Sequence, residues 1–81
     1  MTENNNKKPH PLDIHIGKKL RMRRAILGMS QADLGEAIGI SFQQVQKYEQ
    51  GINRIAVSRF WDLCKVMRVK TTYFFDDYEE S

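Results

Sequence analysis

A three-residue connection between two short helical segments constrains this chain more than any other feature. Gly39-Ile40-Ser41 separates a helical pattern over about residues 30–38 from a second pattern over about residues 41–50. Glycine ends helices because it adopts left-handed backbone angles, and serine caps the start of the next helix. Two short helices joined by such a turn form a helix-turn-helix, which the sequence therefore predicts at about residues 31–50.

The rest of the chain has helical periodicity and no strand alternation. We predict a first helix over residues 13–27 with Asp13 as N-cap and Gly28 as the left-handed stop, a fourth over 56–68 and a short fifth over 72–76. The residues predicted to face the core are Ile16, Leu20, Leu27, Leu34, Ala37, Ile38, Phe60, Leu63, Cys64 and Met67. The fold class is therefore all-α with five helices.

Charge and composition divide the chain into three parts. Residues 1–12 are polar and contain two prolines, which predicts a flexible N-terminal arm; residues 13–76 form the domain and 77–81 an acidic tail. Residues 1–30 carry seven Lys or Arg against two acidic residues. A basic N-terminal part and an acidic tail are typical of a protein that turns one face toward a polyanion. The alternative is that the Lys and Arg residues simply solvate a helix face.

Several functional classes lack their signatures here. No apolar run reaches about 18 residues and the N-terminus has no signal-like apolar stretch, so we expect a cytoplasmic protein with no membrane partner. His10, His15 and the single Cys64 have no partners at metal spacing, so we expect surface histidines, a core cysteine and no metal or cofactor. No catalytic motif and no small-molecule site is evident, so we expect no enzyme.

The second helix of the predicted motif has two contrasting faces. On a wheel of about 100° per residue, Val45 and Tyr48 define the inner side. The opposite side carries Gln43, Gln46, Lys47 and Gln50. Glutamine can pair with adenine N6 and N7, and lysine can reach guanine or a phosphate, whereas a merely solubilising face favours Glu and Lys. We therefore predict that the outer face contacts DNA bases.

Two residues of this helix allow more than one role, and a third, Glu49, has two candidate partners. Phe42 either packs against the preceding helix or contacts thymine methyl groups. Gln44 completes a Ser-x-x-Gln pattern, so the role of capping-box partner to Ser41 is favoured over base contact, and both are possible if the helix enters the groove end-on. Glu49 falls near the apolar side and needs a partner, which Arg23 or Arg24 can provide.

These residues together resemble a known family. Gln31-Ala32-Asp33-Leu34-Gly35, Gly39-Ile40-Ser41 and Tyr48-Glu49-Gln50-Gly51, with Arg24, Gly28, Ser30 and Val45, are similar to the helix-turn-helix of phage Cro/repressor-like (XRE) regulators. The similarity extends over about residues 16–75. It implies a lambda-repressor-like domain that binds double-stranded DNA sequence-specifically and regulates transcription, acting as a homodimer on a two-fold operator.

The resemblance also implies roles for single residues. The expected base-reading residues are Phe42, Gln43, Gln44, Gln46 and Lys47. The expected phosphate contacts are Arg24, Ser30, Gln31, Ser41, Asn53 and Arg54. Arg24 and Glu49 match the family's ion pair, and the last two helices would supply the dimer surface. Trp61, which lies off the inward stripe, is our candidate for that surface together with Phe75 and Tyr78; the alternative for Trp61 is partial burial against the fifth helix.

This sequence departs from the family pattern at a few positions. Gly35 stands where alanine is usual, Arg23 where an apolar residue is frequent, Ala56 where proline is frequent, and Phe42 where a polar base-reader is common. An antitoxin or a protein-interaction adaptor could use the same fold, and it is the alternative function that the sequence leaves open.

Overall fold

The computed structural model describes residues 8–79, and over these residues the regular secondary structure is entirely helical. It contains helix α1 (Pro11–Ile26), α2 (Gln31–Ile38), α3 (Phe42–Gln50), α4 (Val57–Met67) and a 3-10 helix (Thr71–Phe75). The all-α prediction is correct, but the fifth α-helix is wrong. That segment has five residues and no side-chain cap at Lys70, and runs this short commonly take the tighter 3-10 form.

Helix α1 begins two residues before the predicted start. The Nδ1 atom of His10 accepts a hydrogen bond from the backbone N–H of Leu12 at 3.0 Å, and Pro11 occupies the first helical position, where a missing N–H costs nothing. Pro11 and Leu12 therefore belong to the helix and not to the predicted arm, and Asp13 is not the N-cap. Residues 1–7 of that arm and residues 80–81 of the tail lie outside the described residues.

Six side chains form the fully buried centre of the domain: Leu20, Leu34, Val45, Leu63, Met67 and Phe74. Cys64 is buried beside them, and burial raises the pKa of its thiol. Two residues predicted to face the core do not. Leu27 is the C-cap of α1 and is partly open to solvent, and Ala37 is exposed on α2.

Helix α3 touches α1 through backbone atoms. A Cβ atom placed on Gly17 would lie 2.5 Å from the carbonyl oxygens of both Tyr48 and Glu49. At the end of α3, Gly51 has a φ of 77° and stands against the backbone of Ile14. Glycine at these two positions lets α1 and α3 approach more closely than any side chain would allow.

Gly35 has a structural reason to differ from the usual alanine. A Cβ there would lie 2.5 Å from the carbonyl oxygen of Ile40, whose N–H donates to the Gly35 carbonyl at 2.9 Å. Gly39 ends α2 with a φ of 79°, the left-handed conformation expected of it. The helix-propensity cost of Gly35, up to about 1 kcal/mol, is therefore offset by the tight turn that it permits.

Two arginines tie helix ends to neighbouring elements. Arg23 Nε donates to the Met67 carbonyl at 2.8 Å, and Arg59 Nη1 donates to the Ile38 carbonyl at 2.6 Å. The first bond accounts for arginine at position 23, since it satisfies a carbonyl at the end of α4.

None of the helices described is long and apolar enough to cross a membrane.

We predict that Gly17→Ala lowers the free energy of unfolding by about 1–3 kcal/mol, the usual cost of overpacking a close contact. The sign of this change distinguishes a close contact from an open site, because Gly→Ala inside an ordinary exposed helix raises the free energy of unfolding by up to about 1 kcal/mol. Urea unfolding measures the difference, with Lys18→Ala at the exposed neighbouring position as the control. A Gly17→Ala protein more stable than the wild type would contradict the contact.

Candidate nucleic-acid interface

The two faces of α3 are separated as the wheel predicted. Val45 is fully buried and Tyr48 nearly so. The side chains that the sequence placed on the outer face, Gln43, Gln46, Lys47 and Gln50, are all exposed. The helix therefore presents a row of amides and one ammonium group to solvent while its other side is held in the core.

The helices of the motif are capped in different ways. At α2, Ser30 Oγ accepts from the Asp33 N–H at 2.9 Å and Asp33 Oδ2 accepts from the Ser30 N–H at 3.0 Å, a complete capping box. These bonds stabilise the carboxylate, so the pKa of Asp33 lies below its ordinary value. At α3, Ser41 Oγ accepts from the Gln44 N–H at 3.1 Å, which fixes only the backbone of that turn.

The side chain of Gln44 does not complete a capping box. Its Nε2 atom donates instead to Oδ1 of Asn53, in the loop after α3, at 3.0 Å. The role that we favoured for Gln44, reciprocal capping of Ser41, is therefore wrong. No sequence pattern predicted this bond, since its two residues are nine positions apart and lie on either side of a helix end.

Phe42 is the first residue of α3, and its side chain is partly open to solvent, with 46% of its surface exposed. An aromatic ring this exposed, next to the amide row, remains available for an apolar contact with a partner. Packing against α2 therefore does not account for the whole side chain.

A buried carboxylate holds α3 against the two preceding helices. Glu49 has a side chain only 4% exposed and accepts from Arg24 at both oxygens, Nε–Oε2 at 2.6 Å and Nη2–Oε1 at 3.1 Å. Gln31 Nε2 adds a third donor to Oε1 at 3.0 Å. The expected Arg24–Glu49 pair is therefore present, and Gln31, which sequence reasoning had not linked to it, belongs to the same network.

The network leaves Arg24 little capacity for phosphate. Its remaining nitrogen, Nη1, donates to the Met29 carbonyl at 2.7 Å, and the side chain is only 15% exposed. All three nitrogens therefore have partners inside the protein. The structure gives Arg24 a positioning role: three of its five N–H groups are used inside the protein. Its expected phosphate contact stays a prediction.

The other expected phosphate residues are accessible to different degrees. Ser30, Ser41 and Asn53 are exposed, and Gln31 is half-buried at the first position of α2. The side chain of Arg54 is 77% exposed, and its Nε atom lies 3.0 Å from Oδ2 of Asp13. An ion pair this exposed is weak, so the guanidinium can exchange Asp13 for another anion at little cost.

The candidate dimer residues lie in different surroundings. Trp61 is 58% exposed on α4, and Phe75 is 46% exposed beside a shallow apolar groove that Leu12, Ile16, Val57 and Phe60 also line. Val57, which sequence reasoning missed, is 85% exposed and lies one helical turn before Trp61. The spacing of four residues could have revealed it, since such residues share a helix face.

Both histidines have partners within the domain. His10 caps α1, and the Nε2 atom of His15 lies 2.8 Å from the carbonyl oxygen of Asp76. The ring of His15 packs on Tyr78 with centroids 5.2 Å apart, so Tyr78 is half-buried. Within residues 8–79, no group of three potential ligands is placed to hold a metal ion.

The capped α2–turn–α3 unit, with its braced inner face and amide-rich outer face, defines the fold of a helix-turn-helix domain. The family model named Helix-turn-helix matches residues 20–74. The chain belongs to the Cro/repressor-like (XRE) helix-turn-helix family.

Similar proteins include an uncharacterised HTH-type transcriptional regulator from Sinorhizobium medicae, 52% identical over 73 residues. The match covers 90% of this chain, which spans about half (52%) of that relative's length. Among solved structures, the restriction-modification controller protein C.AhdI from Aeromonas hydrophila shares 21% identity with a TM-score of 0.76, over 82% of this chain and 100% of that chain. The P22 c2 repressor, solved with a synthetic operator, is 25% identical with a TM-score of 0.69, over 73% of this chain and 89% of that chain.

We predict that Arg24→Ala lowers the free energy of unfolding by about 3–5 kcal/mol, because it leaves a buried carboxylate without its main partner. The matched control is Arg54→Ala, which breaks the exposed pair with Asp13 and should cost at most about 1 kcal/mol. Chemical unfolding measures both. If both variants lost the same free energy of unfolding, the buried Arg24–Glu49 pair would not stabilise the fold more than the exposed Arg54–Asp13 pair.

Proposed function

We propose that this chain binds double-stranded DNA sequence-specifically through α3 in the major groove and regulates transcription. The observation that carries the proposal is the exposed row of Gln43, Gln46 and Lys47 on a helix whose opposite side is fixed by a buried network. The likeness to the P22 c2 repressor, whose structure contains an operator, supports the same conclusion. The proposal includes no enzymatic activity and places the protein in the cytoplasm, where its DNA target would lie.

We assign base contacts and phosphate contacts to different parts of the motif. Base contacts are assigned to the outer face of α3 and its start, namely Phe42, Gln43, Gln44, Gln46 and Lys47. Phosphate contacts are assigned to Ser30, Gln31, Ser41, Asn53 and Arg54. Near Gln31, the first N–H groups of α2 have no partner within the helix, and such helix starts bind phosphate oxygens well. Phosphate contacts position the protein, whereas contacts to base edges select the sequence.

The first test of this division uses Lys47→Ala and Gln43→Ala. Each should weaken binding to the selected operator by about 1–3 kcal/mol and weaken binding to random DNA much less. The operator is obtained by selecting bound sites from a random DNA pool, and fluorescence anisotropy gives the affinities. Equal losses on both DNAs would remove the residue from the base-reading set.

The second test uses the salt dependence of binding. Arg54→Ala should weaken all sequences alike and reduce the slope of log K against log salt by about 0.9, the loss expected for one phosphate contact. Lys65→Ala, an exposed cation on α4, is the matched control and should leave the slope unchanged. An unchanged slope for Arg54→Ala would remove that residue from the phosphate set.

We also propose that two copies associate through the apolar surface formed by Val57, Trp61 and Phe75. Val57 joins the other two, because it shares a face of α4 with Trp61 and a groove with Phe75. Exposed apolar patches of this kind commonly mark protein interfaces. Tyr78, held against His15, is left outside this surface. A homodimer would place its two α3 helices about one DNA turn apart, roughly 34 Å, on a two-fold operator.

Trp61→Ala should weaken self-association by about 10-fold or more, the effect of losing an aromatic anchor. Sedimentation equilibrium measures the monomer–dimer constant, and Met22→Ala, at an exposed apolar residue of α1, is the control. A wild-type chain that remains monomeric at high concentration and on operator DNA would contradict the dimer. In that case the surface of Val57, Trp61 and Phe75 would be expected to bind a different protein.

A further inference from the structure

The bond between Gln44 and Asn53 is separate from the cap that begins the helix. The cap at the start of α3 is completed by the backbone N–H of Gln44 and the hydroxyl of Ser41, 3.1 Å apart. The amide of Gln44 is then free to point elsewhere, and its Nε2 atom donates to Asn53 Oδ1 at 3.0 Å. Gln44 is one of the residues assigned to base contact and Asn53 is exposed in the loop after α3, so a bond between them changes what Gln44 can offer a base.

The position of Asn53 is itself set by the end of α3. Gly51 turns the chain with a φ of 77°, and the Ile52 N–H donates to the Lys47 carbonyl at 3.0 Å. Asn53 follows directly, so its side chain stands on a loop anchored to the last turn of the helix that carries Gln44. The acceptor that holds the Gln44 amide therefore moves with that helix.

The bond decides which atoms Gln44 can present. One N–H of its amide is occupied by Asn53, which leaves a single N–H donor and the Oε1 acceptor. Adenine offers the complementary pair in the major groove, an N6–H donor and an N7 acceptor. Guanine offers two acceptors, N7 and O6, so one of them would face Oε1 without a hydrogen bond.

We infer that Asn53 is a positioning residue for base recognition, which holds the Gln44 amide in the orientation that selects adenine. This inference rests on the proposed DNA-binding function and adds a specific base to it. It also gives Asn53 two separate tasks, because its Oδ1 atom holds Gln44 while its Nδ2 atom remains a donor for a phosphate oxygen. The two tasks can be separated by substitution.

The experiment compares the wild type with Gln44→Ala, Asn53→Ala and Asn53→Asp, each selected on the same random DNA pool. The position at which Gln44→Ala loses base preference identifies the base that Gln44 contacts. The wild type should prefer adenine there over the other bases by about 10-fold or more. Asn53→Ala should lose the preference at that same base pair and keep the preferences at the others. Asn53→Asp keeps an acceptor for Gln44, so it should keep the adenine preference while it binds every sequence more weakly, because its charge repels phosphate.

Each other outcome has a definite meaning. Retention of the adenine preference in Asn53→Ala, or its loss in Asn53→Asp, would overturn the inference, because the Oδ1 acceptor would not be what orients Gln44. A base other than adenine at the position affected by Gln44→Ala would also overturn it. If the wild type enriches no site at all, the proposed function fails before the inference is reached. Circular dichroism melts show whether each variant is folded.

Discussion

The fold depends on the carboxylate of Glu49 more than on any other group. It is buried, and it accepts hydrogen bonds from Arg24 of α1 and Gln31 of α2 while it belongs to α3. An ionised group in this position is tolerated only when donors surround it, so the three helices must meet at fixed distances. The orientation of α3, and therefore of its outer face, follows from where this carboxylate is satisfied.

Close backbone contact provides the second constraint on α3. Gly17 brings α1 against the carbonyl oxygens of Tyr48 and Glu49, and Gly51 allows the end of α3 to stand against Ile14. The Arg24–Glu49 ion pair holds α1 and α3 together, and Gly17 and Gly51 allow their backbones to approach. Both features therefore act on the interface between α1 and α3. A helix held in this way can leave its amide side chains exposed without losing its place in the core.

Polar side chains at the helix ends form hydrogen bonds of two kinds, local and long-range. His10 caps α1, Ser30 and Asp33 cap α2, and Gln44 reaches past the end of its own helix to Asn53. The first two devices use residues close in sequence, whereas the third joins residues nine positions apart. It is the third that affects the proposed DNA-contacting face, because it occupies one donor of a residue assigned to base contact.

The sequence by itself determined the all-α class, the turn at Gly39, the two faces of α3 and the need of Glu49 for a cationic partner, which the family resemblance narrowed to Arg24. These follow from periodicity, from the backbone freedom of glycine and from the cost of burying an unpaired charge, which are local or nearly local properties. Only the tertiary structure decided that Gln31 joins the Glu49 network, that Gln44 bonds Asn53, and that the final segment is a 3-10 helix. A side-chain amide has several partners of similar energy, and a five-residue segment has several conformations, so the surrounding packing makes the choice.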